Sequence, residues 1–537
     1  MALVPIYCFS IISQSLRYSL YLILVSHLRK LESLILQQNR ELVGSLPKLS
    51  WNCNHSLQVL DIGLTNISGE IPNSIGNLKS LKYFLVASGS FFGKIPNSIG
   101  NLTHLKVMNF QGNELSGSLP PTISNLNQLT DIFLSNNHFE GEIPDIFSNL
   151  QDLINLYLYQ SNFSGCFPSS IVNLTQLEVL ELTGNSLTGP LPLGLTRLQK
   201  LQWLGLSRNM LNGTIPPWVF CIPSSLGLSQ NQFIGHLPEI SCNSSLAGID
   251  LSNNQLDGLI PQSISKLVHV EVLNLASNNF SGEVLTEIFL NIKNLSVLNL
   301  QSNKFNGTIP PWIFCIPFLY ELDLSQNQFT GNLPEISCKS SLSKLDLSNN
   351  QLDGLIPHSI SKLLKANSLF LASNNFNGTI PPWIFIIPSL LGLDLSRNRF
   401  TGKLPEISNK SSLVFVDLSN NQLDGLIPHS ISNLLHATFL KFASNNFSGE
   451  VVITDASITS DVWRRMVQIS VNPSIKHSKP LHPDTHLSLV DGDKIPSLNS
   501  SESNNLQSVA ASNYMRKAGE THGSVEVDIS IGDGTGS

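Results

Sequence analysis

The sequence predicts an α/β solenoid, a right-handed superhelix with a parallel β-sheet along its concave side and loops or 3-10 turns along its convex side. The first observation is a phrase, LxxLxLxxNxLxGxIP, met eighteen times between Leu34 and Gly449, cleanest at Leu319 to Pro334, with a spacing that is almost always 23 to 25 residues. The second is the pair of leucines one residue apart, which share one face of a short strand while the residue between them faces outward. No single unit could bury that face alone. Strands repeating about 4.8 Å apart stack into a sheet roughly 80 Å long over one continuous core.

The third observation is an asparagine at the turn leaving each strand: Asn113, Asn137, Asn185, Asn209, Asn231, Asn254, Asn278, Asn303, Asn327, Asn350, Asn374, Asn398, Asn421 and Asn445. A buried amide must satisfy its donors and its acceptor, so stacked asparagines are expected to bond neighbouring turn backbones. Thr65, Gly89 and Ser161 take that slot in three early coils. These lapses weaken the expected ladder without disturbing the spacing.

The phrase matches the leucine-rich repeat signature, and its LxGxIP ending resembles the plant-type extracellular subclass. Stretches such as IPNSIGNL (Ile71 to Leu78), NGTIPPWIFCIP (Asn306 to Pro317) and LDLSNNQLDGLIP (Leu345 to Pro357) resemble the ectodomains of plant receptor-like proteins over about residues 34 to 449. Receptor kinases of the same organisation share these motifs. The resemblance implies a non-catalytic cell-surface or secreted recognition protein of plant defence or development, binding a peptide, protein or glycan on the concave face. Without a kinase of its own it would act through a receptor-like kinase co-receptor. Two other readings stay open: a secreted inhibitor of a cell-wall hydrolase, as polygalacturonase-inhibiting proteins of this repeat type are, and a truncated nonfunctional product. Those inhibitors have about ten capped coils, and the eighteen here count against that reading.

Composition agrees with a long, nearly neutral solenoid: 537 residues, 13% charged, net charge −7, with 35 glycines and 29 prolines as turn punctuation. Nucleic-acid binding has no basic footprint here. No span of roughly 20 apolar residues is evident for a membrane helix. Enzyme motifs are missing as well: there is no kinase signature, and the terminal GDGTGS lacks a phosphate-loop lysine. His358 and His429 occupy equivalent convex loops and read as solvent-facing. No cofactor or metal is expected.

A larger unit repeats inside the array. NGTIPPW begins at Asn212, Asn306 and Asn377, and the last two copies run in register for 71 residues. Cys315 and Cys338 of one copy become Ile386 and Asn409 in the next, lost together. They occupy equivalent positions in adjacent coils, within the Cα separation a disulfide allows, and Cys221 with Cys242 reproduces the arrangement. Disulfides Cys221–Cys242 and Cys315–Cys338 are therefore expected, with reduced thiols on the convex side as the alternative that geometry leaves open. Zinc fits less well, because no histidine stands at a ligand spacing. Cys8, Cys53 and Cys166 are left over.

Fourteen N-x-S/T sequons stand at Asn54, Asn66, Asn101, Asn162, Asn173, Asn212, Asn243, Asn279, Asn294, Asn306, Asn377, Asn409, Asn446 and Asn499. They predict passage through the secretory route and an extracellular or cell-surface location, although several fall out of the repeat wording itself. Residues 1–26 form an apolar segment that makes a poor signal peptide, since Arg17 interrupts it and no positive charge precedes it. An incomplete amino terminus is expected there. The solenoid is assigned to residues 27–449, and the Ser-, Asn- and Gly-rich residues 450–537 read as a disordered tail.

The outward strand positions divide the array. In the carboxyl half they are mostly aspartate (Asp250, Asp323, Asp346, Asp394 and Asp417), a uniform stripe that reads as consensus surface suited to a cationic segment or to nothing. In the amino half they diverge to Phe133, Tyr157, Tyr159, Glu181 and Trp203, with Asp131, Gln160 and Arg208 beside them. Exposed aromatics with an arginine make a hot-spot composition. Lateral packing of these rings along the sheet would explain them equally well. The ligand-binding expectation is placed on coils five to eight.

Overall fold

The computed structural model describes residues 28, 30–47, 56–221, 224–283 and 287–449. The readings made for residues 1–26 and 450–537, with Cys8, Cys53, Asn54 and Asn499, lie outside the described residues.

Eighteen three-residue strands, from Ser33–Ile35 to Phe439–Lys441, form one parallel sheet, each strand pairing with the next one along the chain. We number the coils 1 to 18 by these strands. The register is direct: Asn155, Leu156 and Tyr157 of coil 6 face Val179, Leu180 and Glu181 of coil 7. The period-2 alternation of a strand sends the middle residue inward, and Leu156 and Leu180 are accordingly buried in a core that runs without a break from Leu46 to Leu434. The fold is thus a leucine-rich repeat solenoid of α/β class.

Strands are short because the chain must leave the sheet within two residues of the second leucine. The ladder continues just past the strand, with the Leu158 N–H donating to the Glu181 carbonyl and the Gln160 N–H to the Thr183 carbonyl, both at 2.8 Å. A left-handed residue then reverses direction. Gln160 has φ 48°, Arg208 55° and Ser302 54°, and Gly112 and Gly184 hold the same slot. Side chains rarely adopt this conformation, so a strained turn recurs along the array.

The asparagines follow immediately and tie that turn down. Asn327 Nδ2 donates to the carbonyls of Leu324 in its own coil (3.2 Å) and Leu300 in the coil before (2.9 Å), while its Oδ1 accepts the Phe305 N–H at 3.0 Å. All fourteen asparagines bridge to the preceding coil in this way; Asn185 and Asn445 are half-buried and the others buried. Thr65 bonds only within its own coil, to the Ile62 carbonyl, and the buried Ser161 hydroxyl has no partner.

Beyond the asparagine a second short strand, such as Asn162–Gly165, pairs with its equivalent in the next coil. Its inward residue is phenylalanine in many coils, and these rings stack across coils: Phe139 on Phe163 at 5.6 Å and Phe280 on Phe305 at 6.1 Å. Proline then opens a 3-10 turn, as Pro168 does for Ser169–Asn173. It suits that place because its fixed φ fits and its missing N–H is not needed. Thirteen 3-10 turns, eleven of them opened by a proline, line the side opposite the sheet among the described residues. Cys221–Cys242 and Cys315–Cys338 are disulfide-bonded there, each with Cα atoms 5.7 Å apart, and Cys166 is free and exposed. Among the described residues no helix is long and apolar enough to cross a membrane.

Candidate functional site

Coils 5 to 8 bring the diverged side chains onto one sheet face. Their strands, Asp131–Phe133, Asn155–Tyr157, Val179–Glu181 and Trp203–Gly205, lie in register. Phe133 and Tyr157 stack with ring centroids 5.1 Å apart. Trp203 reaches back along the sheet, and its Nε1 donates to Glu181 Oε2 at 2.6 Å. Gly205 makes this possible: a Cβ built there would come within 2.2 Å of that carboxylate oxygen.

The Glu181 carboxylate does not stand free for a charged ligand. It is 9% exposed, and its other oxygen accepts the Thr183 N–H at 2.9 Å, so it orients the indole instead. Trp203 is the exposed member of the pair, at 44%.

Tyr159 lies two residues past the strand. Its hydroxyl accepts from Gln111 Nε2 at 2.9 Å and Asn136 Nδ2 at 3.3 Å, which locks the ring in place from two earlier coils. Asp131 accepts from Asn155 Nδ2 and Thr130 Oγ1, both at 2.6 Å. Burial first, then the charges of Glu181, Tyr159 and Asp131, raise the Tyr157 phenol above its ordinary 10, so it stays neutral at physiological pH. Gln160 and Arg208 are exposed on the left-handed turns bordering the face. The result is a preorganised aromatic surface with the Arg208 cation exposed at this rim, the type of surface on which large side chains are buried at little entropic cost.

Sequence reasoning missed the opposite rim. Lys106, Gln128, Thr130, Asp152, Ile154 and Gln176 line an open hollow of about 450 Å³ beside this face. These are the positions on either side of the first leucine of the repeat, polar in most coils, so their composition gave no signal. Among the described residues no group of three or more His, Cys, Asp or Glu is placed to hold a metal ion.

The carboxyl half differs. Its aspartates were expected to be plain surface; instead Asp323 and Asp417 are buried and Asp346 and Asp394 half-buried. Burial, with Asp323 beside it, pushes Asp346 up to about 7, and burial, with Asp417 beside it, pushes Asp394 up to about 6. Lys344 lies between the acids of coils 13 and 14, its Nζ 2.6 Å from Glu321 Oε1. Burial opposes its charge, but Glu321, Asp323 and Asp346 together raise its pKa.

Comparison with known proteins accords with this geometry. The profile described as "Leucine-rich repeat region" matches residues 27–247, and that of the single "Leucine Rich Repeat" matches 245–267, 294–316, 318–340, 341–363 and 412–434. Receptor-like protein 41 of Arabidopsis thaliana is 32% identical over 113 residues, which is 21% of this chain and 13% of that protein. The leucine-rich repeat receptor protein kinase MSL1 of Oryza sativa subsp. japonica is 35% identical over 118 residues, 22% of this chain and 8% of that one. The chain thus spans only a small part of the curated relatives it matches. Among solved structures, the plant peptide hormone receptor RGFR1 in complex with RGF2 superimposes with a TM-score of 0.73 at 31% identity, covering 79% of this chain and 72% of that chain. The Arabidopsis receptor kinase HAESA, in complex with the peptide hormone IDA and the co-receptor SERK1, gives 0.68 at 30% identity, covering 80% and 77%. By its repeats, its relatives and its structural neighbours, the chain belongs to the leucine-rich repeat family as a plant receptor-like ectodomain.

Proposed function

We propose that this chain is the recognition region of a plant cell-surface or secreted receptor, that coils 5 to 8 hold its ligand, and that it signals through a partner kinase. The observation that carries the reading is the aromatic face itself, Phe133 stacked on Tyr157 and Trp203 held by Glu181, presented on the sheet. Two structural neighbours support a peptide ligand, since RGFR1 is a plant peptide hormone receptor solved in complex with RGF2, and HAESA was solved with the peptide hormone IDA and a co-receptor. Protein and glycan ligands fit the same surface chemistry. Passage through the secretory route is supported by the sequons: of the twelve among the described residues, all but Asn173 are exposed.

Truncating anchors of this kind costs about 2 kcal/mol or more each. The Tyr157→Ala, Tyr159→Ala, Trp203→Ala triple variant should therefore lose capture of ligand from a displayed library of secreted peptides and cell-wall fragments, while remaining folded and secreted. Undiminished capture would remove coils 5 to 8 as the site.

A further inference from the structure

A second surface, on the last coils, follows from the internal duplication. In the first copy the chain neutralises its own acids: Lys344 bonds Glu321 at 2.6 Å and stands between Asp323 and Asp346. At the same places 71 residues on, Lys344 becomes Phe415 and Glu321 becomes Gly392, while the aspartates persist as Asp394 and Asp417. That cation is gone while both acids remain, Asp417 buried and Asp394 half-buried, with Lys441 as the cation that acts on both. Lys441 on coil 18 approaches Asp417 Oδ2 at 3.3 Å, whereas Asp394 receives the Ser396 N–H at 2.9 Å.

What replaces the lysine is an aromatic plate. Phe415 stacks on Phe439 with centroids 4.7 Å apart and ring planes within 7°, and Phe370 meets Phe415 edge-on at 6.5 Å across Gly392. Phe439 is 39% exposed. The sheet face of coils 13 to 18 is acidic, with Glu321, Asp323, Asp346, Asp394 and Asp417 set against Lys344 and Lys441; Arg397 stands outside the strands on an exposed turn. Ring faces attract cations, and a planar guanidinium can lie on a ring while its edge donors reach a carboxylate.

We propose that the sheet face of coils 15 to 18 is a second recognition surface, which takes an arginine side chain of an extended basic peptide against the Phe415 ring on its side away from Phe439, over Gly392 and beside the Asp394 carboxylate. The guest supplies the charge that Lys344 supplies internally one duplication earlier. The surface is separate from coils 5 to 8 and does not depend on the ligand assigned there.

The test uses the full secreted chain and a labelled Gly-Ser peptide with interspersed arginines, against the same peptide with citrulline at every arginine. The arginine peptide should bind, and the citrulline peptide should bind about tenfold more weakly or worse. Asp394→Asn, close to isosteric, should weaken binding of the arginine peptide by a similar factor. Phe415→Lys, which rebuilds the internal cation of the first copy, should abolish it. The Tyr157, Tyr159 and Trp203 triple variant should bind the arginine peptide as the parent does. Equal binding of the two peptides, or parental affinity in both Asp394→Asn and Phe415→Lys, would overturn the proposal. So would a concentration-dependent dimer dispersed by Phe415→Lys, because the plate would then belong to a second copy.

Discussion

Residues 306–376 and 377–447 are two copies of one sequence whose interiors agree and whose surfaces do not. Asn327 and Asn398 make the same bonds to within 0.1 Å, to Leu300, Leu324, Ser325 and Phe305 in one copy and to Leu371, Leu395, Ser396 and Phe376 in the other. The faces have exchanged an ion pair for an aromatic plate, and the opposite side has exchanged a disulfide for Ile386 and Asn409. In a solenoid each coil's core is constrained by the coils on either side, whereas an outward side chain can change without disturbing the stack. Duplication therefore copies a scaffold and leaves its surface free to acquire a new partner.

The sharpest way to break the comparison is to remove the shared interior. Asn327→Ala and Asn398→Ala each strand several buried backbone groups, and each should cost about 3 kcal/mol. Chemical denaturation followed by circular dichroism should show equal losses despite the different faces. A loss at one site twice that at the other would mean that the two cores are not equivalent.

The disulfide is the next largest difference. Cys315 and Cys338 close a loop with a sequence separation of 23, for which chain entropy gives about 3 kcal/mol. Cys315→Ser with Cys338→Ser should lose about that much, somewhat less if strain offsets it. The reverse exchange is more informative: Ile386→Cys with Asn409→Cys should form a disulfide in the second copy on air oxidation, seen as a mass loss of two hydrogen atoms on intact-protein spectrometry, and should slow proteolysis of coils 16 and 17. Failure to oxidise would show that the backbones have diverged where the sequences still align.

The acids separate the copies by pH. Asp346, raised to about 7, and Asp394, raised to about 6, bind a proton more tightly when folded than when unfolded. Their contribution to stability is therefore complete below the unfolded value near 3.8 and is lost as pH climbs through about 7 for the first and about 6 for the second. The melting temperature should fall by a few degrees between pH 5 and pH 8. Asp346→Asn should flatten the upper part of that fall and Asp394→Asn the lower part. A melting temperature independent of pH, or variants with parental pH profiles, would show that both carboxylates are hydrated.

Most of the scaffold could be read from the repeat, because its period, its leucines and its asparagines report a single stacking geometry. The left-handed turn could not: Gln160, Arg208, Ser302 and Asn349 share no residue type, and only Gly112 and Gly184 carry its usual mark. The candidate site was half legible. Aromatics at outward positions identified coils 5 to 8, but the bond from Trp203 to Glu181 depends on Gly205, two residues on in the same strand, lying opposite Glu181, a relation that only the cross-coil register exposes. The plate of Phe370, Phe415 and Phe439 was hidden by the aspartates between its members, which made the half-array look uniform.

That left-handed turn supplies the smallest effect and the finest test of equivalence. Ser302 and Ser373 hold the same place four residues before the first and the second copy, both at φ 54°. Replacing either with glycine relieves about 1 kcal/mol of backbone strain and returns about half of that as freedom of the unfolded chain, a net gain of about 0.5 kcal/mol. The copies should nevertheless differ. Ser302 Oγ donates to Gln326 Oε1 at 2.6 Å, and the counterpart of Gln326 in the second copy is Arg397, which offers no acceptor. Ser373→Gly should thus raise the denaturation midpoint measurably, while Ser302→Gly, which gives up an exposed hydrogen bond of similar worth, should leave it nearly unchanged. Equal gains at both positions would show that the hydroxyl of Ser302 contributes nothing, and that the turns of the two copies are energetically one despite the side chains facing them.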